Sequence, residues 1–482
     1  MIDILRRSIN IPYTFRISNF FMNFSSRCLS LSLLLSISSL SVNVFAGSFS
    51  LYTEGSAAAV ANYAAGIAAE GRDASVGWYN PAALVLLRKP EIVAGLVGVS
   101  PTASLSGTAS FYQIDPSYGD LLPPYQQNFS NLSGGRAGLV PNLHLAMPLG
   151  ETVTYGVSLL VPHGLSSDWP EDSALRYAGT FSRLKVINLA PEMGGLLTDH
   201  LALGLGMDLQ WADVDFDNVI GSPAALQLAG AIPTALDSPL KNHGNSFGFA
   251  FHAGLLMKWH QDKTRFGFNY AYGATHQFED ASSLTGLLAD PNFADKNATF
   301  VSNLLTSNEI KFPDIMTFSL FQQVNDKIAI MGSVVYSLWS GFDKIVLHNI
   351  GVYQLETDSL GYSSAVTVQN YRNALRVSVG INYQLNEQWQ LRTGGGYDQT
   401  PTNPIDRDTR LPDVDKLAIA AGAHWDFNQH WGFDAGYSYL FPVSDASINK
   451  TQILDDYNYL NLLATGHVYA QLVAAQLVWK GD

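Results

Sequence analysis

The chain has 482 residues, of which 47% are hydrophobic and only 14% charged. That charge content is well below the roughly 25% of soluble globular domains, so a string of two to four ordinary soluble domains fits poorly. A net charge of −14 argues against a nucleic-acid partner, and the single cysteine, Cys28, leaves no disulfide to form.

The first 46 residues read as an export signal. Arg16 and Arg27 precede an apolar, serine-rich core from Leu29 to Leu40, and Val44-Phe45-Ala46 supplies small residues for cleavage before Gly47. The long leading stretch leaves Met22 open as an alternative start. Removal of 1–46 takes away four basic residues and one acidic one, which makes the remaining chain more acidic and free of cysteine.

Gly47 to Leu84 is dominated by small residues (Ala57-Ala58-Ala59, Ala64-Ala65-Gly66, Ala68-Ala69) and closes in Trp78-Tyr79-Asn80-Pro81-Ala82-Ala83-Leu84. It makes a poor strand and a plausible plug, and the run Ala57 to Ala69 suits a buried helix whose small side chains pack closely against a wall. On local grounds Asn80-Pro81-Ala82 is an ordinary turn, since Pro fixes φ and Asn-Pro favours turn initiation. Inside a barrel, Asn80 gains a second role, hydrogen-bonding backbone in the lumen, and Pro81 supplies a rigid bend.

Past the plug the period is two. Leu201, Leu203, Leu205, Met207, Leu209 and Trp211 alternate with small or polar residues, as do Leu375 to Leu385, Leu417 to Phe427 and Trp431 to Tyr439. No apolar run after residue 46 reaches the about 18 residues of a membrane helix. Ile92 to Ile114 is broken by Pro101, and Tyr457 to Trp479 by Asn458, Asn461, His467 and Gln471. A closed barrel is the remaining way to cross a bilayer. Tight turns at Leu149-Gly150-Glu151, Thr198-Asp199-His200, His260 to Lys263, Asn325-Asp326-Lys327, Asn386-Glu387-Gln388 and Phe427 to His430 alternate with long connections such as Gly107 to Gly138, Val214 to Asn245 and Glu279 to Glu309. Short turns on one side and long loops on the other give the polarity of an outer-membrane barrel with about fourteen antiparallel strands. Trp259, Trp389, Trp425 and Trp431 beside the turns suit an interfacial girdle, and the loops Pro223 to Leu240 and Ser283 to Leu305 have room for short helices. The domain reading is a removed signal 1–46, a hatch 47–90 and a barrel 91–482.

With these residues in place the chain resembles the FadL family of outer-membrane transporters for long-chain fatty acids and other hydrophobic compounds. The resemblance rests on the hatch motif Asn80, Pro81, Ala82 after about thirty small-residue positions, and on three further stretches: Pro141-Asn142-Leu143-His144, Phe312-Pro313-Asp314-Ile315-Met316 with Ser337-Leu338-Trp339-Ser340, and Tyr397-Asp398-Gln399-Thr400-Pro401 leading to Arg410-Leu411-Pro412-Asp413. It implies a fourteen-stranded barrel, an N-terminal hatch, a hydrophobic pocket and sideways exit of substrate through a gap in the wall. It also implies passive uptake with long-chain fatty acid as cargo, aromatic hydrocarbons as the nearest alternative, outer-membrane lipid as surroundings and a monomer as the working unit.

Glycines at inward positions (Gly204, Gly206, Gly248, Gly254, Gly394, Gly396, Gly432, Gly436) leave volume for a plug and a ligand. A carboxylate cargo wants a cation, because an unpaired buried charge is costly. Arg376 and Arg392 occupy inward phases and, with Phe49, are the candidate ligand contacts; Arg183 and Lys185 lie beside an external loop. The bland reading pairs these cations with Asp208 or Asp434. His424, Asp426 and His430 form a conceivable metal or acid/base group that inward polar residues near a turn explain better. No cofactor or metal is expected. An outer-membrane lipase needs a serine, a histidine and an orienting amide or acid brought together near the lipid face; a general porin fits poorly with so long a plug.

Overall fold

The structure, a computed structural model, describes residues 45–115, 119–354 and 357–482. The expected export segment falls, apart from Phe45 and Ala46, outside the described residues.

Fourteen antiparallel strands close into a barrel. In chain order they are β1 (Glu91–Gln113), β2 (Gly138–Leu149), β3 (Val153–Asp168), β4 (Phe181–Thr198), β5 (Leu201–Phe216), β6 (Ser238–Trp259) and β7 (Thr264–Ala271). There follow β8 (Asp314–Gln323), β9 (Ile328–Leu338), β10 (Ala374–Gln384), β11 (Trp389–Asp398), β12 (Lys416–Asp426), β13 (Trp431–Pro442) and β14 (Asn458–Lys480). The ring shuts where β1 pairs with β14 from Glu91↔Lys480 to Gln113↔Asn458. These are the two apolar stretches that polar residues interrupt: on β14, Asn461, His467 and Gln471 fall in the outward phase and Asn458 in the inward one.

Alternation sets the wall throughout. On β5, Leu203, Leu205, Met207 and Trp211 stand outward at 44 to 62% exposure, while Gly204, Gly206, Asp208 and Gln210 point into the lumen. Such a band of exposed large side chains has lipid as its natural neighbour. At the tight-turn end Trp389 stacks on Trp425 across the β11–β12 pair with ring centroids 5.3 Å apart. At the other end Trp211 meets Phe247 edge-on at 5.4 Å, so aromatic residues mark both boundaries.

The long connections build a crown mainly from extended segments. A helix forms at Pro223–Leu228, within one of the two loops that had room for it. The other loop instead makes a hairpin, Glu279–Thr285 with Thr299–Ser307, carrying a single 3-10 turn at Leu287–Ala289. The physical reason is the projecting part of β6, which offers a free edge that takes up this hairpin from Glu279↔Asn245 to Leu284↔Leu240.

Inside the ring lies the N-terminal segment. Helix α1 (Ala57–Asn62) is capped by Ser56, whose hydroxyl accepts from the Ala58 N–H at 3.2 Å. The alanine-rich run was expected to stay helical to Ala69, but Tyr63 and Ala64 turn left-handed (φ 55° and 57°) and end it. The unwound turns give their backbone groups to wall serines: Ser319 accepts from the Ala68 N–H at 3.1 Å, and Ser333 both accepts from the Gly66 N–H at 2.9 Å and donates to the Ala64 carbonyl at 3.0 Å. After helix α2 (Val76–Tyr79) the chain reaches the Asn80-Pro81 corner, and Asn80 caps the 3-10 helix Pro81–Leu86 by accepting from the Ala82 N–H at 3.1 Å. Its amide nitrogen donates to Ala68 O at 2.6 Å and to Leu255 O on β6 at 3.1 Å, so one side chain ties two arms of the plug to the wall.

The inward glycines make this seat. A Cβ on Gly204 would lie 2.2 Å from the Ala82 nitrogen, one on Gly254 1.9 Å from the Asn80 side-chain oxygen, and one on Gly394 2.3 Å from the Asn62 carbonyl oxygen. Gly204→Ala is therefore expected to cost about 1–3 kcal/mol and to admit protease to the plug. Gly98→Ala, where the nearest heavy atom would be 3.6 Å away, should leave both unchanged. Thermal midpoints by circular dichroism and limited proteolysis of the two purified variants check this.

Candidate functional site

Above the plug the crown encloses two connected cavities. The outer one is an open cleft of about 1550 Å³ between the loop after β5 and the accessory strands Lys344–Gln354 and Ser359–Val368. The inner one is walled by Leu165, Leu184, Val214, Phe278, Phe312 and Leu411 among others. Phe216, Ile345, Gln369 and Arg410 line both and form the neck between them. Apart from Gln369, Asp408 and Arg410, the inner lining is apolar. This is the composition of a site that binds by burial, with a few polar groups to orient the ligand.

An aromatic group stands behind this chamber. Trp339 packs edge-on against Phe342 (5.9 Å) and Tyr371 (5.6 Å), and His163 lies 4.7 Å from the Phe312 ring. The crown over it is fixed by a buried knot. Arg176 donates to Asp237 at 2.7 Å, to Gln127 at 2.6 Å and to the Tyr177 hydroxyl at 2.8 Å, and that hydroxyl donates to Asp237 at 2.8 Å. Burial, with the Asp237 charge beside it, holds the Tyr177 hydroxyl well above its usual range, so it stays a donor.

Below the chamber a third, small space opens between plug and wall, lined by Ser50, Tyr52, Val335, Trp339, Arg376 and Asp398 among others. Arg376 donates to Asp398 at 2.8 Å and lies 5.4 Å from the ring of Tyr63, whose hydroxyl also reaches Asp398 at 3.4 Å. Its Nη1 is buried without a hydrogen bond. Arg376 is thus both wall ion pair and cavity lining.

The other sequence candidates sit elsewhere. Arg392 points inward but binds Asp434 near the tight-turn end, remote from the lining of these three spaces. His424 Nδ1 lies 3.0 Å from Asp434, which accepts from the Gln476 amide at 3.1 Å, and Gln476 accepts the Ala57 N–H at 2.8 Å. That network clamps the plug to β13 and β14. Asp208 pairs with His252 at 2.8 Å and with Asn188 at 2.6 Å rather than with an arginine. Arg183 faces outward against Asp213 (3.0 Å) and Asp215 (2.7 Å). His424 sits 3.2 Å from Asp426, while His430 turns away to the Lys480 carbonyl at 3.1 Å. Phe49 belongs to the strand Phe45–Ser50, and its side chain lies outside the described set. Sequence reasoning missed the neck residues, because Phe216 ends β5, Ile345 and Gln369 come from the β9–β10 connection and Arg410 from the β11–β12 connection, and they carry no shared pattern.

The wall itself is breached beside the plug. β2 pairs with β3 only from Leu149↔Val153 up to Leu143↔Leu159, although β2 runs on to Gly138. The next link above is the single bridge Gly135↔Ser167. Pro141 and Pro162 stand on the two unpaired edges, where a missing N–H suits a broken ladder. β3 slips register against β4 between Leu160 and His163, and residues 160–167 are buried on both faces, as a strand drawn into the lumen would be. The window holds the start of the plug: Ser50 pairs with His163, and the Leu51 N–H donates to Pro162 O at 2.8 Å.

The same chain layout is found in known proteins. Residues 37–480 match the family model described as "Outer membrane protein transport protein (OMPP1/FadL/TodX)". The chain is 26% identical over 377 residues to the long-chain fatty acid transport protein of Escherichia coli O6:H1, covering 75% of this chain and 79% of that one. It is 26% identical over 428 residues to outer membrane protein P1 of Haemophilus influenzae, covering 84% and 88%. Among solved structures, a Pseudomonas aeruginosa FadL homologue superposes with a TM-score of 0.74 at 20% identity over 90% of this chain and 99% of that one. The Ralstonia pickettii toluene transporter TbuX gives 0.59 at 18% identity over 89% and 100%. With a family match that spans nearly the whole chain and a plugged barrel of fourteen strands, this protein belongs to the OMPP1/FadL/TodX family of outer-membrane transport proteins.

Proposed function

We propose that this outer-membrane protein takes up single hydrophobic molecules, long-chain fatty acids foremost, by passive transfer from the outer cleft through the neck and inner chamber and out sideways through the window in the wall. The observation that carries this is the joining of a mixed polar and apolar outer cleft to an apolar inner chamber at one neck, above a lumen that the plug fills. A water-soluble cargo would need a polar channel, whereas an alkyl chain gains about 0.8 kcal/mol for each methylene it buries. About ten buried methylenes would contribute about 8 kcal/mol before the entropy of association is subtracted. Binding is then firm, and release needs a change at the site.

The window supplies a place for that change. Its filling is the leading segment of the plug, held to β3 by the register pairs Phe45↔Leu165 and Ser50↔His163 and by the Leu51–Pro162 hydrogen bond. Leu51 packs with Val140 and Val161 from the two flanking strands, so its withdrawal would open an apolar slot at the level of lipid. Arg376, with its free Nη1 beside Tyr52 and Tyr63, is the cation a carboxylate would meet at this level. Asn80 and Pro81 act as the fixed corner about which the leading arm moves. A second reading, transport of aromatic hydrocarbons, is favoured by the rings of Phe216, Phe278, Phe312, Phe342 and Tyr371 around the inner chamber. E. coli O6:H1 and R. pickettii relatives are named for the two cargo classes respectively.

Two outcomes follow for experiment. Mass spectrometry of the detergent-extracted protein should recover bound long-chain fatty acid that added toluene does not displace at equal concentration; ready displacement would favour the aromatic reading, and recovery of no hydrophobic ligand with free sugar passage would defeat both. A disulfide between Ser50→Cys and His163→Cys spans an antiparallel register pair, whose about 4.5–5.5 Å Cα spacing suits a cross-link. Oxidised cells should lose uptake of a labelled fatty acid and regain it on reduction, whereas unchanged uptake by the cross-linked form would rule out movement of the leading segment.

A further inference from the structure

We propose that Arg410 is a head-group site in the neck, which selects anionic amphiphiles and orients them tail-first into the inner chamber. This rests on the transport reading and adds to it a residue, a charge requirement and a direction of entry. Arg410 lies in the connection between β11 and β12, which folds inward so that Asp408, Thr409 and Leu411 are buried. The backbone is fixed there: the Arg410 N–H donates to Asp408 Oδ1 at 2.8 Å, and Thr409 O accepts from the Trp169 indole at 3.3 Å.

The guanidinium is held in place but underused. Only 12% exposed, it faces Asp408 with Nη1 3.5 Å from Oδ2, and neither Nε nor Nη1 makes a hydrogen bond. Asp408 is shared, because Lys450 Nζ approaches the same Oδ2 at 3.4 Å. Arg407, the next cation along, spends its donors on Thr402 and the Ser447 carbonyl rather than on a carboxylate. Asp408 thus serves two close cations, of which Lys450 also has the Val368 and Asp406 carbonyls, while Asp217 feels the Arg410 charge and Asp413 and Asp415 that of Arg407. A cation buried without its full set of acceptors is costly, and an arriving carboxylate would supply them in the fork geometry that guanidinium prefers. Gln369, which also lines both cavities, stands at the same level. Beyond the neck the chamber offers Leu184, Val214, Phe278 and Phe312, which suit an alkyl tail. The head therefore stops at Arg410 while the tail fills the chamber. A neutral hydrocarbon passes the neck without this contact.

The test compares equilibrium binding of radiolabelled hexadecanoate and of its methyl ester to the full-length purified protein at mildly alkaline pH. The unaltered protein should prefer the acid by about tenfold or more, as a charged hydrogen bond warrants. Arg410→Gln should bring the ratio to within about threefold, and Arg410→Lys should keep part of it. Asp408→Asn removes the internal competitor and should raise the ratio, which preserves the test if the Arg410 variants do not fold. An acid-to-ester ratio that is near one in the unaltered protein, that survives Arg410→Gln, or that falls in Asp408→Asn, overturns the assignment while leaving transport intact. Binding of neither probe by the unaltered protein overturns the transport reading together with it.

Discussion

Backbone of the plug occupies the space where wall side chains would otherwise stand, and the rest of the structure depends on that contact. All eight inward glycines anticipated from the sequence have a plug atom or a lumen histidine within 3 Å of where a Cβ would lie. Close approach lets wall hydroxyls and amides reach the carbonyls and N–H groups that short helices and turns leave over. Ser438 donates to Val60 O at 2.6 Å, Asn80 to Leu255 O, and Gln476 takes the Ala57 N–H. A plug made of short helices and turns has many such orphan groups, and each would be costly if left buried and unpaired. Glycine in the wall and irregular backbone in the plug are two halves of one solution.

The lumen is consequently divided by polarity along its axis. Toward the tight turns it is filled by the plug and by paired charges: Arg392 with Asp434, His252 with Asp208, Lys480 with Asp426 at 3.4 Å. Toward the crown the inward positions turn apolar, and the chamber opens among Leu165, Leu184, Val214 and Phe312. Hydrophobic cargo can enter the second region but meets buried ion pairs in the first, where displacing a partner would expose a bare charge. The break between β2 and β3 lies at the join of the two regions, so the route of least desolvation leads sideways. Arg376 and Asp398 sit at that same level and connect the wall to Tyr63 of the plug.

Period two made the wall legible. A strand with one greasy face cannot slip by one residue without turning that face to the wrong solvent, so alternation in Leu201 to Trp211 or Leu375 to Leu385 carries register as well as strand. Short turns beside tryptophans carried the polarity, and the Asn80-Pro81-Ala82 corner with its glycine-rich surroundings marked the hatch. Arg376 was legible as an inward cation, but its phase is shared by Arg392, and phase does not say how far along the barrel axis a residue lies or which carboxylate claims it. The length of α1 was misjudged because alanine favours helix everywhere, while the two left-handed residues at Tyr63 and Ala64 answer to wall serines more than 250 residues away. The chamber was not legible at all. Its walls come from crown loops whose packing against each other is tertiary, and Arg410 reveals itself only through the company it keeps in space.

A lumen sealed by its own N-terminal segment, with cargo leaving through the side, makes one demand that sets it apart from every open-channel alternative. Ion conductance in planar bilayers and fatty-acid uptake in cells should be measured together, on the intact protein and on a form lacking residues 50–86. A sealed lumen predicts uptake with almost no conductance from the intact protein, and large steady conductance once the plug is gone. Free conductance by the intact protein, or no gain on removing the segment, would contradict it.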